Sequence, residues 1–157
     1  MTEHVACGDC ERIRPGSFAQ PANTVSSLAL AAVAPAIWRG ARRAGDRPWQ
    51  VVAATTFAAG VGSVAYHGPG GRVGKAVHDG AVAALAVSLA AAVGHRPPAH
   101  RWPAAVGVLA GALHATSRTG GSLCRPDSWL QGHAAWHVAA AVAVAGAARS
   151  AVSPQGG

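Results

Sequence analysis

The chain has 157 residues, half of them hydrophobic and only 12% charged, well under the roughly 25% charged residues of ordinary soluble domains. Its net charge of +7 comes from arginines and a lysine in short loops between apolar blocks, with no basic stretch interleaved with aromatics. That pattern argues against a nucleic-acid partner and for loops flanking membrane spans. The length suits a single domain.

Residues 1–21 are polar, with Glu3, Asp9, Glu11, Arg12 and Arg14 followed by Pro15 and Pro21. They read as an extramembrane arm and lack the apolar run of a cleavable signal peptide. A first span is predicted at 22–39, with Asn23, Thr24, Ser26 and Ser27 at its head and a kink at Pro35. A loop bearing Arg39, Arg42, Arg43 and Arg47 leads to a second span at 49–67, where Gly60 and Gly62 allow close helix approach. "GPGGRVGK" reads as a turn before a third span at 76–94. A fourth at 102–117 is short of the about 20 residues a bilayer requires. A fifth runs over 129–148, and 151–157 read as a disordered tail.

The fold class expected is therefore all-α: an integral membrane helical bundle of about five transmembrane helices over 22–150, with a soluble Ala-rich bundle as the bland alternative. The arginine cluster between the first two spans puts that loop in the cytoplasm and the N-terminus outside. The setting expected is multi-pass, in the plasma membrane of a bacterium. Three cysteines are too few for a disulfide framework; Cys7 and Cys10 form one C-x-x-C, open to a redox role, without the second pair of a zinc knuckle.

His133 and His137, in "GHAAWH", lie one helical turn apart, the spacing at which two imidazoles share a metal ion. Alternating span directions bring further polar residues to the same side. His67 ends the second span with Ser63 one turn deeper, and Asp79 lies about one turn into the third. At 1.5 Å per residue all five fall within about 12 Å of one membrane surface. Three histidines with an open position are the usual ligand set of catalytic zinc, and a nearby carboxylate then manages protons. The competing reading of Asp79 is an ion pair with Lys75, and that of Ser63 is helix packing. His78 and His114 lie on the same side, His114 as a substitute ligand; His4, His95 and His100 read as loop residues.

The series "CE…PANTVSSL", "GVGSVAYH", an intramembrane Asp and "GHAAWH" resembles the alkaline ceramidase family, part of a group of seven-span membrane metallohydrolases that includes the adiponectin receptors. The resemblance touches the first, second, third and fifth spans. It implies zinc on His67, His133 and His137, with Ser63 and Asp79 around the metal-bound water, which in that family attacks the amide of ceramide to release a fatty acid and a sphingoid base. It also implies calcium on the arm, through Asp9 and Glu11, although Gln20 stands where the family has an acidic residue. Five spans in place of seven remove wall from the acyl-chain cavity, leaving it open to lipid or completed by a second copy of the chain. The function expected is a zinc-dependent, ceramidase-type hydrolase of a lipid amide. The alternatives are hydrolysis of another lipid amide or ester and a non-catalytic metal-binding membrane protein; a haem-binding bundle is a more distant rival.

Overall fold

The structure, a computed structural model, describes residues 8–153 as five α-helices, with no strand among them. They are α1 (Pro21–Arg43), α2 (Arg47–His67), α3 (Gly71–His95), α4 (Trp102–Thr116) and α5 (Gly132–Val152). Local chemistry sets the ends. Proline occupies the first turn of α1, α2 and α4, where its missing N–H costs no hydrogen bond. Asp46 caps α2 by accepting from the Trp49 backbone N–H at 3.2 Å. α1 takes its cap from the arm: the two Glu11 carboxylate oxygens accept from the backbone N–H groups of Ala22 and Asn23 at 2.9 and 2.8 Å. A carboxylate there also meets the positive end of the helix dipole.

Several boundaries differ from the sequence expectation. α1 runs on to Arg43 with Pro35 inside it. α3 starts at Gly71, so half of the expected turn is helical and Asp79 lies two turns in. α5 starts at Gly132, because the residues before it are held in a turn: Gln131 donates to the carbonyl of Arg125 at 2.8 Å and Leu130 N–H to Ser128 Oγ at 3.0 Å. His133 thus lies in the first turn of α5. Ala151 and Val152, expected in the tail, are helical; residues 154–157, like Glu3, His4 and Cys7 of the arm, lie outside the described residues.

α1 packs against α2 and α5, α2 also against α3, and α5 also against α4. The order across the bundle is α3–α2–α1–α5–α4; neighbours are antiparallel except α1 and α5, which both start at the histidine end. Gly60 and Gly62 make the expected close approaches: a Cβ on Gly60 would lie 2.6 Å from Ala31 N in α1, and one on Gly62 3.2 Å from His78 Cα in α3. Away from the histidines, Ile37, Ala41, Trp49, Val52, Ala92, Val144 and Ala148 form the main apolar core.

Three helices, α1, α3 and α5, are long and apolar enough to cross a membrane. α4, with 15 residues, spans only about 22 Å at 1.5 Å per residue, and α2 carries buried Thr56, Ser63 and His67. Only 6% of the most apolar stretch of α3 is buried, and Val73, Val87 and Val108 are more than two-thirds exposed. Apolar outer faces of that extent are costly in water and natural in lipid.

The arm is fastened to the α4–α5 loop. Cys10 and Cys124 form a disulfide, so Cys10 is not the partner of Cys7 that the C-x-x-C spacing suggested. Arg12 forms a forked ion pair with Asp127, its Nη2 donating at 2.7 Å, and Thr119 N–H donates to the Gly8 carbonyl at 2.7 Å.

Candidate metal centre

α2 ends and α5 begins at the same end of the bundle, which sets His67 against His133 and His137. The imidazole centroids lie 5.1 Å apart for His67 and His133, 5.3 Å for His67 and His137, and 4.7 Å for His133 and His137. One ligand nitrogen from each ring lies within 4.8 Å of the other two. His67 and His137 are fully buried and His133 is 2% exposed.

Buried polar atoms are ordinarily hydrogen-bonded, yet both ring nitrogens of His133 and Nε2 of His137 have no hydrogen-bond partner. Nδ1 of His67 and Nδ1 of His137 are held from outside the cluster. Gln20 donates its amide N–H to the Glu11 carbonyl at 2.8 Å, so its Oε1, 2.7 Å from His67 Nδ1, accepts an N–H there. Ser26 donates to the Asn23 carbonyl at 3.1 Å, so its oxygen, 2.9 Å from His137 Nδ1, accepts likewise. The Asp9 carboxylate faces His133 Nδ1 at 3.6 Å. With the proton on Nδ1, the rings of His67 and His137 each keep an Nε2 lone pair for an ion. For those two rings this is the pattern of metal-ligating histidines held from behind, and Gln20 and Ser26 supply it. The donor set, three imidazoles and no thiolate, suits zinc with one position open.

Asp9 is 8% exposed. Burial pushes its carboxyl above the ordinary aspartate value, opposed by nearby His114, Arg118 and Lys75 and by a hydrogen bond from Tyr66. Asp9 and His114 also form a second group with His133, their ligand atoms again within 4.8 Å. His114 comes in from α4, its ring 4.8 Å from Trp136 and 5.6 Å from His133.

The two remaining residues singled out in the sequence part company. Ser63 is fully buried one turn before His67, with its Oγ 3.0 Å from Nδ1 of His78. The His78 ring stacks on Tyr66 at 5.0 Å and lies 5.8 Å from His67. Asp79 is not brought to the histidines: its side chain is 55% exposed and bonded to Lys75 at 2.6 Å, the ion pair weighed as the competing reading. One step along a helix turns a side chain by about 100°, so when His78 faces α2, Asp79 faces outward. Nor do the three calcium candidates converge on one point. Glu11 caps α1, Gln20 bridges Glu11 and His67, and Asp9 faces His133.

Sequence reasoning missed the outer shell formed by Asp9, Gln20 and Ser26 and the placement of His78. The readable signal for His78 was its position beside Asp79 on the site side; no local pattern announces a partner tens of residues away. Comparison of the chain with protein-family models, curated proteins and solved structures gives no match.

Proposed function

We propose that the protein is a zinc-dependent hydrolase of lipid amides, of the ceramidase type, embedded in a membrane. The observation that carries this reading is the buried trio His67, His133 and His137, with two Nε2 atoms lacking hydrogen-bond partners and Nδ1 atoms engaged by Gln20 and Ser26. A zinc ion held there supplies Lewis-acid polarisation of a carbonyl and a water acidic enough to react near neutral pH. The protein's own residues do the rest. Ser63 donates to the oxygen on which charge develops. His78, hydrogen-bonded to Ser63 on the same side, handles the proton passed to the leaving amine, the part expected from the sequence of a nearby carboxylate, Asp79. Gln20 and Ser26 keep the ligand imidazoles in one tautomer.

An apolar cavity of about 340 Å³ between the end of α3, the start of α4 and α5, lined by Leu89, Val93, Gly107 and Val144 among others, supports a lipid substrate. Its α5 wall, at 143–147, lies about 9–15 Å along the helix from His137, within reach of an acyl chain. The Cys10–Cys124 disulfide forms in oxidising compartments. It favours an extracytoplasmic site, with the arginine-rich opposite end in the cytoplasm.

The test is zinc per chain of protein purified in mild detergent, with fatty-acid release from ceramides, other lipid amides and lipid esters, with and without a chelator. We expect about one zinc, chelator-sensitive release from an amide, and loss of zinc in His133→Ala and His137→Ala. His78→Gln is expected to abolish most turnover while Asp79→Asn keeps it. Release from esters alone would move the substrate class. Zinc without any turnover would leave a metal-binding membrane protein, and zinc retained in both alanine variants would overturn the ligand set.

A further inference from the structure

At the end of the bundle opposite the histidines, the seam between α1 and α5 opens into a cavity of about 590 Å³. Its walls are apolar and low, formed by Ile37 and Gly40 of α1 and Ala145, Ala148 and Val152 of α5. Arg43 and Arg149, in the last turns of the two helices, line the same cavity. Among the described residues neither guanidinium has an ion-pair partner. Among the described residues the acidic side chain at this end is Asp46, and it is committed to Trp49 N–H and to Arg96 Nη1 at 3.6 Å. Arg39, Arg42, Arg47 and Arg101 add further positive charge to the same end.

We propose that this groove binds an anionic phospholipid of the surrounding bilayer, its phosphate held between Arg43 and Arg149 and one acyl chain lying along Ile37, Ala145, Ala148 and Val152. The inference rests on the membrane reading of the helices and is independent of the hydrolase. Two guanidiniums converging on one cavity match the forked hydrogen bonding of a phosphate. Basic pockets between helices at the cytoplasmic side are natural headgroup sites. The negative ends of the α1 and α5 helix dipoles repel an anion, so attraction has to come from these two side chains. The small residues Gly40, Ala145 and Ala148 leave room for a chain to lie in the seam. A zwitterionic headgroup carries its own cation and gains much less from the pair.

The experiment is native mass spectrometry of the full chain in neutral detergent, titrated with phosphatidylglycerol and with phosphatidylcholine of the same acyl chains. We expect phosphatidylglycerol to be retained at least about tenfold better. Arg43→Gln/Arg149→Gln should erase that preference, whereas Arg39→Gln/Arg47→Gln, at the same end but outside the groove, should keep it. Helical circular dichroism and zinc content report whether each variant is folded, and zinc binding should be unchanged in both. Should the first pair fail to fold, Ala145→Leu, which narrows the groove, carries the same expectation. Equal retention of the two lipids, or equal loss of preference in both arginine pairs, would overturn the proposal in favour of diffuse charge. Displacement of the lipid by millimolar inorganic phosphate would show a phosphate site rather than a lipid site. Lipid binding that emerges only after removal of residues 154–157 would show that the tail itself fills the groove.

Discussion

Gln20 sits between two structures that depend on it. Its amide nitrogen ties down the arm carbonyl of Glu11, and its oxygen accepts the Nδ1 proton of His67. A side chain that is fully buried and uses both ends has little freedom, and that rigidity passes to the imidazole. Replacing it with leucine keeps approximate size and removes the acceptor, so His67 loses the partner that selects its tautomer. We expect Gln20→Leu to weaken zinc binding by about 10–100-fold, read by competition with a chromophoric chelator. Gln20→Glu, which keeps an acceptor oxygen, should retain most of it. Unchanged affinity in the leucine variant would remove the outer-shell role. The same scale separates His78 from Asp79. They are neighbours in sequence, but one reaches Ser63 and the other reaches Lys75.

α2 is the element on which the site is hung, because it contacts both α1 and α3 and ends in His67. Its two glycines set how near those neighbours come. A methyl group on Gly60 would meet backbone of α1 at 2.6 Å, whereas one on Gly62 would meet the α3 backbone at 3.2 Å. The first cannot be absorbed by a side-chain shift and must push the helices apart. Gly60→Ala is therefore expected to destabilise the bundle by about 1–3 kcal/mol, seen as a lowered thermal midpoint in detergent. A midpoint equal to that of the parent would show that α1 and α2 do not pack so closely. α5 serves as the other half of the frame, presenting His133 and His137 one turn apart and packing on α1 and α4.

Over the whole molecule, the arm is a clasp that closes the histidine end. It carries Asp9 to His133 and Glu11 to the head of α1, and its disulfide links residues 114 apart in sequence. A loop of that length gives about 4–5 kcal/mol of stabilisation in the chain-entropy account. The Arg12–Asp127 pair beside it is exposed and contributes little by comparison. Cys10→Ser should lower the thermal midpoint and speed zinc loss to a chelator, because the outer shell is freed with the arm. Reduction of the parent protein should do the same. Arg12→Ala should leave the zinc-loss rate within about twofold, as befits an exposed pair. If Cys10→Ser releases zinc no faster than the parent, the arm has no part in holding the metal.

What was legible in the chain by itself was whatever depends on near neighbours in sequence. Blocks of Ala and Val separated by Arg, Pro and Gly marked five helices, and among the boundaries missed the start of α5 was set by local turn hydrogen bonds at Ser128 and Gln131. Four-residue spacing put His133 and His137 on one face, and alternation of direction brought His67 to the same end. The tertiary structure alone decided which faces meet. Whether α3 turned His78 or Asp79 toward α2 depended on helix rotation, which a near-uniform run of small apolar residues does not encode. The path of the arm decided that Glu11 caps a helix, that Gln20 and Asp9 stand behind histidines, and that Cys10 joins Cys124. Those partners are set by a loop's route through space, and sequence spacing carries no trace of contacts made across a hundred residues.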